Sequence, residues 1–135
     1  MNGNLIIHYV EWLSSEQFKW DTFLHLTMAK RTTLKRFKKA VKNLLTYMGG
    51  WGVFGFEYGI AGGCLHCHGI VEGRKKSTYD AWKWWFSRYG RNLIQDVKKD
   101  IKKRGIFYIC KYAIKEGNFE IIGERRRDDK NLNLW

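Results

Sequence analysis

Several features that would place this chain in a membrane or outside the cell are missing from its 135 residues. No apolar run approaches the roughly 20 residues needed to cross a bilayer. The first residues, Met1-Asn2-Gly3-Asn4, lack the basic region and apolar stretch of a signal peptide. The sequence therefore predicts a soluble, cytoplasmic protein without a membrane partner.

Proline is absent and cysteine is scarce, with only Cys64, Cys67 and Cys110 present. Three cysteines without a secretion signal do not indicate a disulfide framework. Residues 64–68 spell the C-x-x-C-H pattern of haem attachment, but the chain shows neither export nor a haem-binding fold. A zinc site on Cys64 and Cys67 would need a second pair of ligands, and the remaining candidates are scattered.

Acidic residues are also few, with 13 Asp and Glu against 25 Lys and Arg, which gives a formal net charge of +12. Such a balance is typical of nucleic-acid-binding proteins, although ribosomal proteins and proteins on anionic membranes share it. Seven Trp and seven Tyr are available to stack on bases. The charge and the aromatic content together favour a nucleic-acid partner.

The hydrophobic periodicities predict a mixed order of helices and strands. Residues 22–28 alternate with a period of two, so the apolar even positions would face a core. Further strands are predicted over 51–58, 65–71, 92–97 and 119–122, and helices over 33–47, 77–90 and 106–115, while residues 5–10 fit either a strand or a short helix. The second of these helices has an apolar stripe made of Trp82, Trp85, Phe86 and Tyr89.

This order of elements predicts an α+β fold of the split-βαβ type, in which helices cover one face of an antiparallel sheet and the other face serves function. No repeat, low-complexity tract or linker divides the chain. We therefore expect one domain over residues 1–135, with its core in about 20–123. Residues 124–135 are expected to form a mobile charged tail.

Two histidines one residue apart, His66 and His68, stand in a predicted strand. Alternate side chains of a strand point to one face, so the two imidazoles would lie side by side while Cys67 points away. Two such imidazoles can hold one metal ion, although a strand with two unrelated polar residues on a solvated face has the same pattern. Glu57, on the preceding strand of a predicted hairpin, is the candidate third ligand or else a rim carboxylate. Its face depends on the strand register, which the sequence does not define.

A second constellation follows in the last predicted helix, where Tyr108, Lys111, Tyr112 and Lys115 form one stripe. An ordinary amphipathic helix has the same pattern. Beside a metal ion, however, a tyrosine hydroxyl could attack phosphorus and form a covalent intermediate. The charge of the metal and of a neighbouring lysine would favour the phenolate, and the lysine could offset charge on the phosphoryl group.

Together these residues resemble the HUH endonucleases, in particular the nicking domains of rolling-circle replication initiators (Rep). His66-Cys67-His68 matches the family's histidine–hydrophobe–histidine motif, and its Tyr-x-x-Lys motif is matched twice, at 108–111 and 112–115. Residues 23–27, which end in Leu-Thr, resemble the first motif, and Glu57 resembles the acidic residue ahead of the histidines. The motifs fall in the family's order across residues 22–117.

The resemblance implies a ferredoxin-like or RRM-like sheet and an enzyme that nicks and rejoins single-stranded DNA with Mn²⁺ or Mg²⁺. A tyrosine would become linked to the 5′-phosphate and leave a 3′-OH for polymerase, which would initiate rolling-circle replication of a plasmid or viral genome. Residues 112–117 are closest to single-tyrosine Reps, whereas the doubled motif resembles two-tyrosine initiators. Tyr112 is therefore the first candidate nucleophile and Tyr108 the second.

The implied partners are single-stranded DNA at a replication origin, a host polymerase and a separate helicase, because no Gly-rich P-loop motif occurs in the chain. A homodimer is compatible with an initiator that must both cleave and rejoin. Candidate DNA contacts are the basic residues of two segments and two residues of the first core strand: Lys35, Lys38, Lys39, Lys42, Arg74, Lys75, Lys76, His25 and Thr27. For the helix lysines, a solvated basic face is the alternative.

Two other functions remain open from the sequence. A transposase of the same superfamily would use the same chemistry, although its helix typically carries a glutamine after the tyrosine. A non-catalytic RRM-like module would bind nucleic acid through stacking aromatics. In that module the histidine pair and the tyrosine–lysine stripe would be coincidental.

Overall fold

The computed structural model describes residues 3–58, 65–98, 104–107, 109–110 and 119–123. The helices in these ranges are α1 (Gly3–Leu13), α2 (Leu34–Met48) and α3 (Thr78–Arg88), and the strands are β1 (Thr22–Thr27), β2 (Trp51–Tyr58), β3 (Leu65–Glu72), β4 (Asn92–Asp96) and β5 (Phe119–Ile122). Residues 104–107 and 109–110 are also helical. None of the helices in these ranges is long and apolar enough to span a membrane.

The five strands form one open sheet in the order β4-β1-β3-β2-β5, and every neighbouring pair is antiparallel. The succession β1-α2-β2-β3-α3-β4 is the split-βαβ arrangement. The predicted α+β fold is therefore confirmed, and residues 5–10 belong to a helix.

Short-range capping explains where α2 and α3 begin. The hydroxyl of Thr33 accepts a hydrogen bond from the backbone N–H of Arg36 at 3.2 Å, and that of Ser77 accepts one from Asp80 at 3.0 Å. Helix α2 ends at Gly49, whose φ of +85° is a conformation that side chains rarely adopt. Both caps and the terminating glycine are visible in the sequence.

Helices α2 and α3 cover one face of the sheet, which we call the helix face. The even positions of β1 and the odd positions of β3 point to this face, as predicted. They bury Leu24, Leu26 and Cys67 against apolar side chains of both helices, among them Phe37 and Trp85. The alternation then requires His25, His66 and His68 to point to the opposite face.

The opposite face, here called the histidine face, carries a second apolar cluster. It joins strand residues such as Val53 and Ile70 to α1, to the turn after α1 and to the helical residues beyond 104, with the members Val10, Leu13, Phe18, Trp20, Trp51, Ile106, Ile109 and Cys110. The hydrophobic core therefore includes residues before position 20, namely Val10, Leu13 and Phe18, and so extends beyond the predicted range of about 20–123. Helical residues also cover part of the face that holds the histidines, which the sequence pattern did not predict.

Helix α3 differs from its predicted apolar stripe. It buries Ala81 and Trp85, whereas Trp82 is 36% exposed and Phe86 is 54% exposed. The indole N–H of Trp85 donates to the carbonyl of Thr27 at 3.0 Å, which orients this flank of the helix toward the sheet. Two flanks of α3 are apolar, but the helix packs at the β4 edge of the sheet. The sheet therefore covers only one of these two flanks.

Candidate metal centre

Three neighbouring strands bring acidic and imidazole side chains together on the histidine face. Strand β3 lies between β1 and β2, and the register pairs His25 with His68 and Glu57 with His66. Directly paired residues of antiparallel strands share a face. Glu57 therefore lies on the same face as the histidines, which the sequence alone could not establish.

The carboxylate of Glu57 lies between the two histidines of β3. Its Oε1 atom is 3.3 Å from Nε2 of His66 and 3.1 Å from Nε2 of His68. Two ligands of one ion, each about 2.1 Å from it, stand about 3.0–3.4 Å apart in octahedral or tetrahedral geometry. The separations of this oxygen from the two nitrogens therefore fit ligands of one divalent ion.

A third histidine, His25, completes the cluster. Ring nitrogens of His25, His66 and His68 all lie within 4.8 Å of one another, close enough to bind a metal ion. His25 Nε2 is 3.3 Å from His66 Nδ1, and the ring centroids of His25 and His68 are 4.2 Å apart. From the sequence, His25 was predicted to contact DNA and was not predicted to bind metal. The alternation in β1 predicts that His25 points away from the helix-face core. Its position beside His68, however, depends on the register of β1 against β3, which the sequence does not define.

Burial favours the neutral imidazole in two members of this cluster, His25 and His68. His68 is 9% exposed and Glu57 is 6% exposed. Burial, followed by repulsion from His25 and His66, lowers the pKa of His68 to about 3, and burial also lowers the pKa of His25. The neutral imidazole is the form that ligates metal ions. Neither ring therefore has to lose an imidazolium proton before it binds a metal ion at neutral pH.

A cavity of about 340 Å³ opens beside His25 and His68. Its wall includes Gln95 of β4 and, from the helical residues, Arg104, Gly105 and Ile109. A Cβ atom added at Gly105 would lie 2.4 Å from the ring of Phe23. The absence of a side chain at Gly105 therefore allows the backbone of this helical segment to lie close to β1. Arg104 is exposed and lines the cavity, and arginine is a residue type suited to binding phosphate.

The tyrosine–lysine stripe of Tyr108, Lys111, Tyr112 and Lys115 lies outside the described residues. One described residue within its span and one after it lie near the histidines. Ile109 lines the same cavity as His25 and His68. At the other end, Phe119 pairs with Gly55, which in turn pairs with His68.

The lysines predicted to contact DNA from α2 lie across the sheet from the histidines. Lys35, Lys39 and Lys42 are exposed on α2, the helix that covers the helix face. Lys38 is partly buried and pairs with Glu120 of β5 at 3.3 Å. A DNA strand at the histidine face would not meet these four lysines unless it passed round the sheet.

The basic segment after β3 has a structural role at its first residue. Arg74 pairs with Asp96 at 2.9 Å and donates to the hydroxyl of Thr22 at 2.6 Å, so it ties this loop to β4 and β1. Lys75 and Lys76 are exposed. Their predicted contacts with DNA stay a prediction, as does that of Thr27, which pairs with His66 on β3.

No protein-family model matches this chain, and no curated protein matches it either. The interpretation of the site therefore depends on its residues and geometry. The HUH resemblance stays a hypothesis drawn from the motifs.

Cys67 stands between the two histidines of β3 but points into the helix-face core, where it is fully buried. Burial raises the pKa of its thiol and raises that of Cys110 to about 12. Because the thiolate is the reactive form, we expect both cysteines to resist iodoacetamide at pH 8 in the native protein and to react in guanidinium chloride. Peptide mass spectrometry measures this at each site. Alkylation of native Cys67 would contradict the strand parity on which the metal centre depends.

Proposed function

We propose that this chain is a metal-dependent enzyme that nicks and rejoins single-stranded DNA, as HUH replication initiators do. The observation that carries the proposal is the position of the Glu57 carboxylate, which lies 3.1–3.3 Å from Nε2 of both His66 and His68. Burying a carboxylate is unfavourable unless hydrogen bonds or a cation compensate for its lost hydration. His66 and His68 already contact this carboxylate, and a divalent ion held by the oxygen and the two nitrogens would supply the Lewis acid that phosphoryl transfer uses.

Glu57, His66 and His68 are the proposed ligands, and His25 is proposed to orient His66. The two nitrogens of His66 face different partners, because Nε2 faces Glu57 and Nδ1 lies 3.3 Å from Nε2 of His25. Histidine ligands commonly donate a hydrogen bond from the second ring nitrogen, which defines the tautomer and the ring orientation. In this arrangement His66 Nδ1–H donates to His25, and the lone pair of Nε2 is left for the ion. Two nitrogens and one oxygen suit Mn²⁺ or Mg²⁺, which also retain water ligands.

When bound, the ion would supply Lewis-acid polarisation of the scissile phosphate. Tyr112 would supply the nucleophile, with Tyr108 as the second candidate. The phenol oxygen would form a bond to phosphorus while the bond from phosphorus to the 3′ oxygen breaks. The phenol proton is released, and the departing 3′ oxygen takes up a proton to become a hydroxyl. Lys115 and Lys111, each three residues after a tyrosine, would favour the phenolate.

Rejoining would reverse these steps, since the 3′-OH attacks the phosphotyrosine and the phenol leaves. The phosphodiester is conserved throughout, so the reaction needs no ATP. The net charge of +12 and the presence of Arg104 in the wall of the cavity beside His25 and His68 support a polyanionic substrate. A transposase of the same superfamily would give the same intermediate, but the two Tyr-x-x-Lys motifs favour a replication initiator.

A covalent-adduct experiment tests this function. A library of 3′-labelled single-stranded oligonucleotides with randomised sequence is incubated with the protein and Mn²⁺, and adducts are resolved on a denaturing gel. We expect adducts that require the metal, persist in Tyr108→Phe and disappear in Tyr112→Phe and in His68→Ala. His8→Ala is the matched control, because His8 is exposed on α1.

Each alternative gives a distinct result. Adducts that survive Tyr112→Phe and vanish in Tyr108→Phe would reverse the order of the two tyrosines. Binding of the library without any adduct would contradict the enzyme and favour the non-catalytic module.

A further inference from the structure

Helix α3 presents a row of aromatic rings to solvent. Tyr79, Trp82 and Phe86 are 63%, 36% and 54% exposed. The rings of Trp82 and Phe86 are inclined by only 14° with centroids 5.1 Å apart, and those of Tyr79 and Trp82 by 24° at 6.1 Å. A single exposed aromatic residue is ordinary. Three successive stacked rings form a contiguous patch of the kind that marks a binding site. We call this row the α3 ladder.

The α3 ladder meets a basic groove at Phe86. This residue lines a groove of about 520 Å³ between the first half of α2 and the end of α3. Five of the 14 residues that line the groove are basic and none is acidic, and the basic ones are Lys30, Arg31, Arg36, Lys39 and Arg88. A groove lined by one sign of charge concentrates ions of the opposite sign. The apolar patch is therefore continuous with a site for anions.

We propose that the α3 ladder and the basic groove together bind a single strand of nucleic acid on the helix face. Bases would stack on Trp82 and Phe86, and the phosphates would follow the cations of the groove. Proteins that bind single strands without sequence preference combine these two features. A duplex exposes no base faces for the rings, and a purely apolar partner would gain nothing from five cations. The charge of the groove therefore selects a polyanion with free bases.

This surface is separate from the metal centre, because α2 and α3 cover the face of the sheet opposite the histidines. The two sites nevertheless share one end of the sheet. Met28 lines the groove and directly follows Thr27, which pairs with His66. A strand held in the groove could continue round this end to the histidines. The binding surface itself does not depend on the proposed nicking function.

Fluorescence anisotropy with a labelled oligothymidylate in EDTA tests the proposal without a contribution from bound metal. The double variant Trp82→Ala/Phe86→Ala should bind the single strand at least about fivefold more weakly, because stacking on one aromatic residue changes affinity by roughly 5- to 150-fold. Its affinity for a duplex should stay within about twofold of the original. Trp82→Phe, which keeps a ring, should retain most of the single-strand affinity. Ile7→Ala removes a comparably exposed apolar side chain elsewhere and should have no effect.

The groove is tested by reversing charges. Arg36→Glu/Lys39→Glu should weaken binding to the single strand and reduce its salt dependence, since fewer counterions are released. Lys19→Glu/Lys98→Glu is the matched control, because both lysines are exposed outside the groove. Equal losses in the two charge-reversed proteins would overturn the assignment of the groove.

Other results would overturn the assignment of the ladder. Unchanged single-strand affinity in Trp82→Ala/Phe86→Ala would do so. The assignment would also be wrong if sedimentation velocity showed that this variant loses self-association while its DNA binding is unchanged. That result would mean that the ladder binds a second copy of the chain. Failure of the nicking function would be seen separately, as the absence of adducts in a protein that still binds the oligonucleotide through α3.

Discussion

Replacing His68 with alanine is expected to lower the affinity for Mn²⁺ by at least about a hundredfold. His66→Ala should have a similar effect, because either change removes a nitrogen that faces the Glu57 carboxylate. Loss of a group that only supports a metal ligand already lowers affinity about 10- to 100-fold, and loss of the ligand itself should exceed that. Isothermal titration calorimetry measures the change. His8→Ala is the control that removes an imidazole elsewhere, and wild-type affinity in His68→Ala would contradict the metal centre.

The same titration separates the roles of His25 and Glu57. His25→Ala should weaken Mn²⁺ binding by about 10- to 100-fold, because His66 loses the acceptor for its Nδ1–H. His25→Asn should recover part of the loss, since its amide oxygen can accept that hydrogen bond. Glu57→Gln should weaken binding more than His25→Ala does. The reverse order would place His25 among the ligands and Glu57 outside them.

Replacing Gly69 with alanine is expected to lower the free energy of unfolding by about 1–3 kcal/mol, the range typical of overpacking in a core. Gly69 pairs with Phe54 across β3 and β2, and an added Cβ would lie 2.2 Å from the Phe54 ring. The ring is fully buried in the helix-face core, so it cannot move aside without displacing its neighbours. Urea denaturation measures the loss as a lower midpoint at an unchanged slope.

A double-mutant cycle isolates the cause of that loss. Phe54→Leu alone should destabilise the protein by leaving a cavity, but it should also make room for a methyl group at position 69. The double variant Gly69→Ala/Phe54→Leu should therefore be more stable than the sum of the two single changes implies. If the two effects on the free energy of unfolding were strictly additive, contact with the Phe54 ring would not be the reason why Gly69→Ala destabilises the protein.

Local signals in the sequence were sufficient to predict most of the secondary structure. Thr33 and Ser77 cap helices through contacts only three residues away, and the alternation of β1 appears within its own six residues. Strand order and register depend instead on pairing between residues far apart in the chain. That is why the sequence could suggest Glu57 as a ligand but could not give its face, and why His25 was not recognised as a neighbour of His68.

Helix α3 illustrates a second limit of periodicity. Its aromatic residues occupy two adjoining flanks, and the pattern cannot show which flank meets the sheet. The structure buries the flank of Trp85, whose indole is anchored on Thr27, and leaves Trp82 and Phe86 in solvent. The predicted apolar stripe of α3 thus includes Trp82 and Phe86, the residues on which the proposed second binding surface depends.

The candidate ligands all come from the three inner strands of the sheet, since β1, β3 and β2 each have a neighbour on both sides. Local opening in proteins begins at the least stable elements, and core strands open only with global unfolding. Detachment of β4 or β5 would therefore leave Glu57, His66, His68 and His25 in register. The rate at which a bound ion leaves would then depend on exchange of its ligands and be largely independent of local opening at the edges of the sheet.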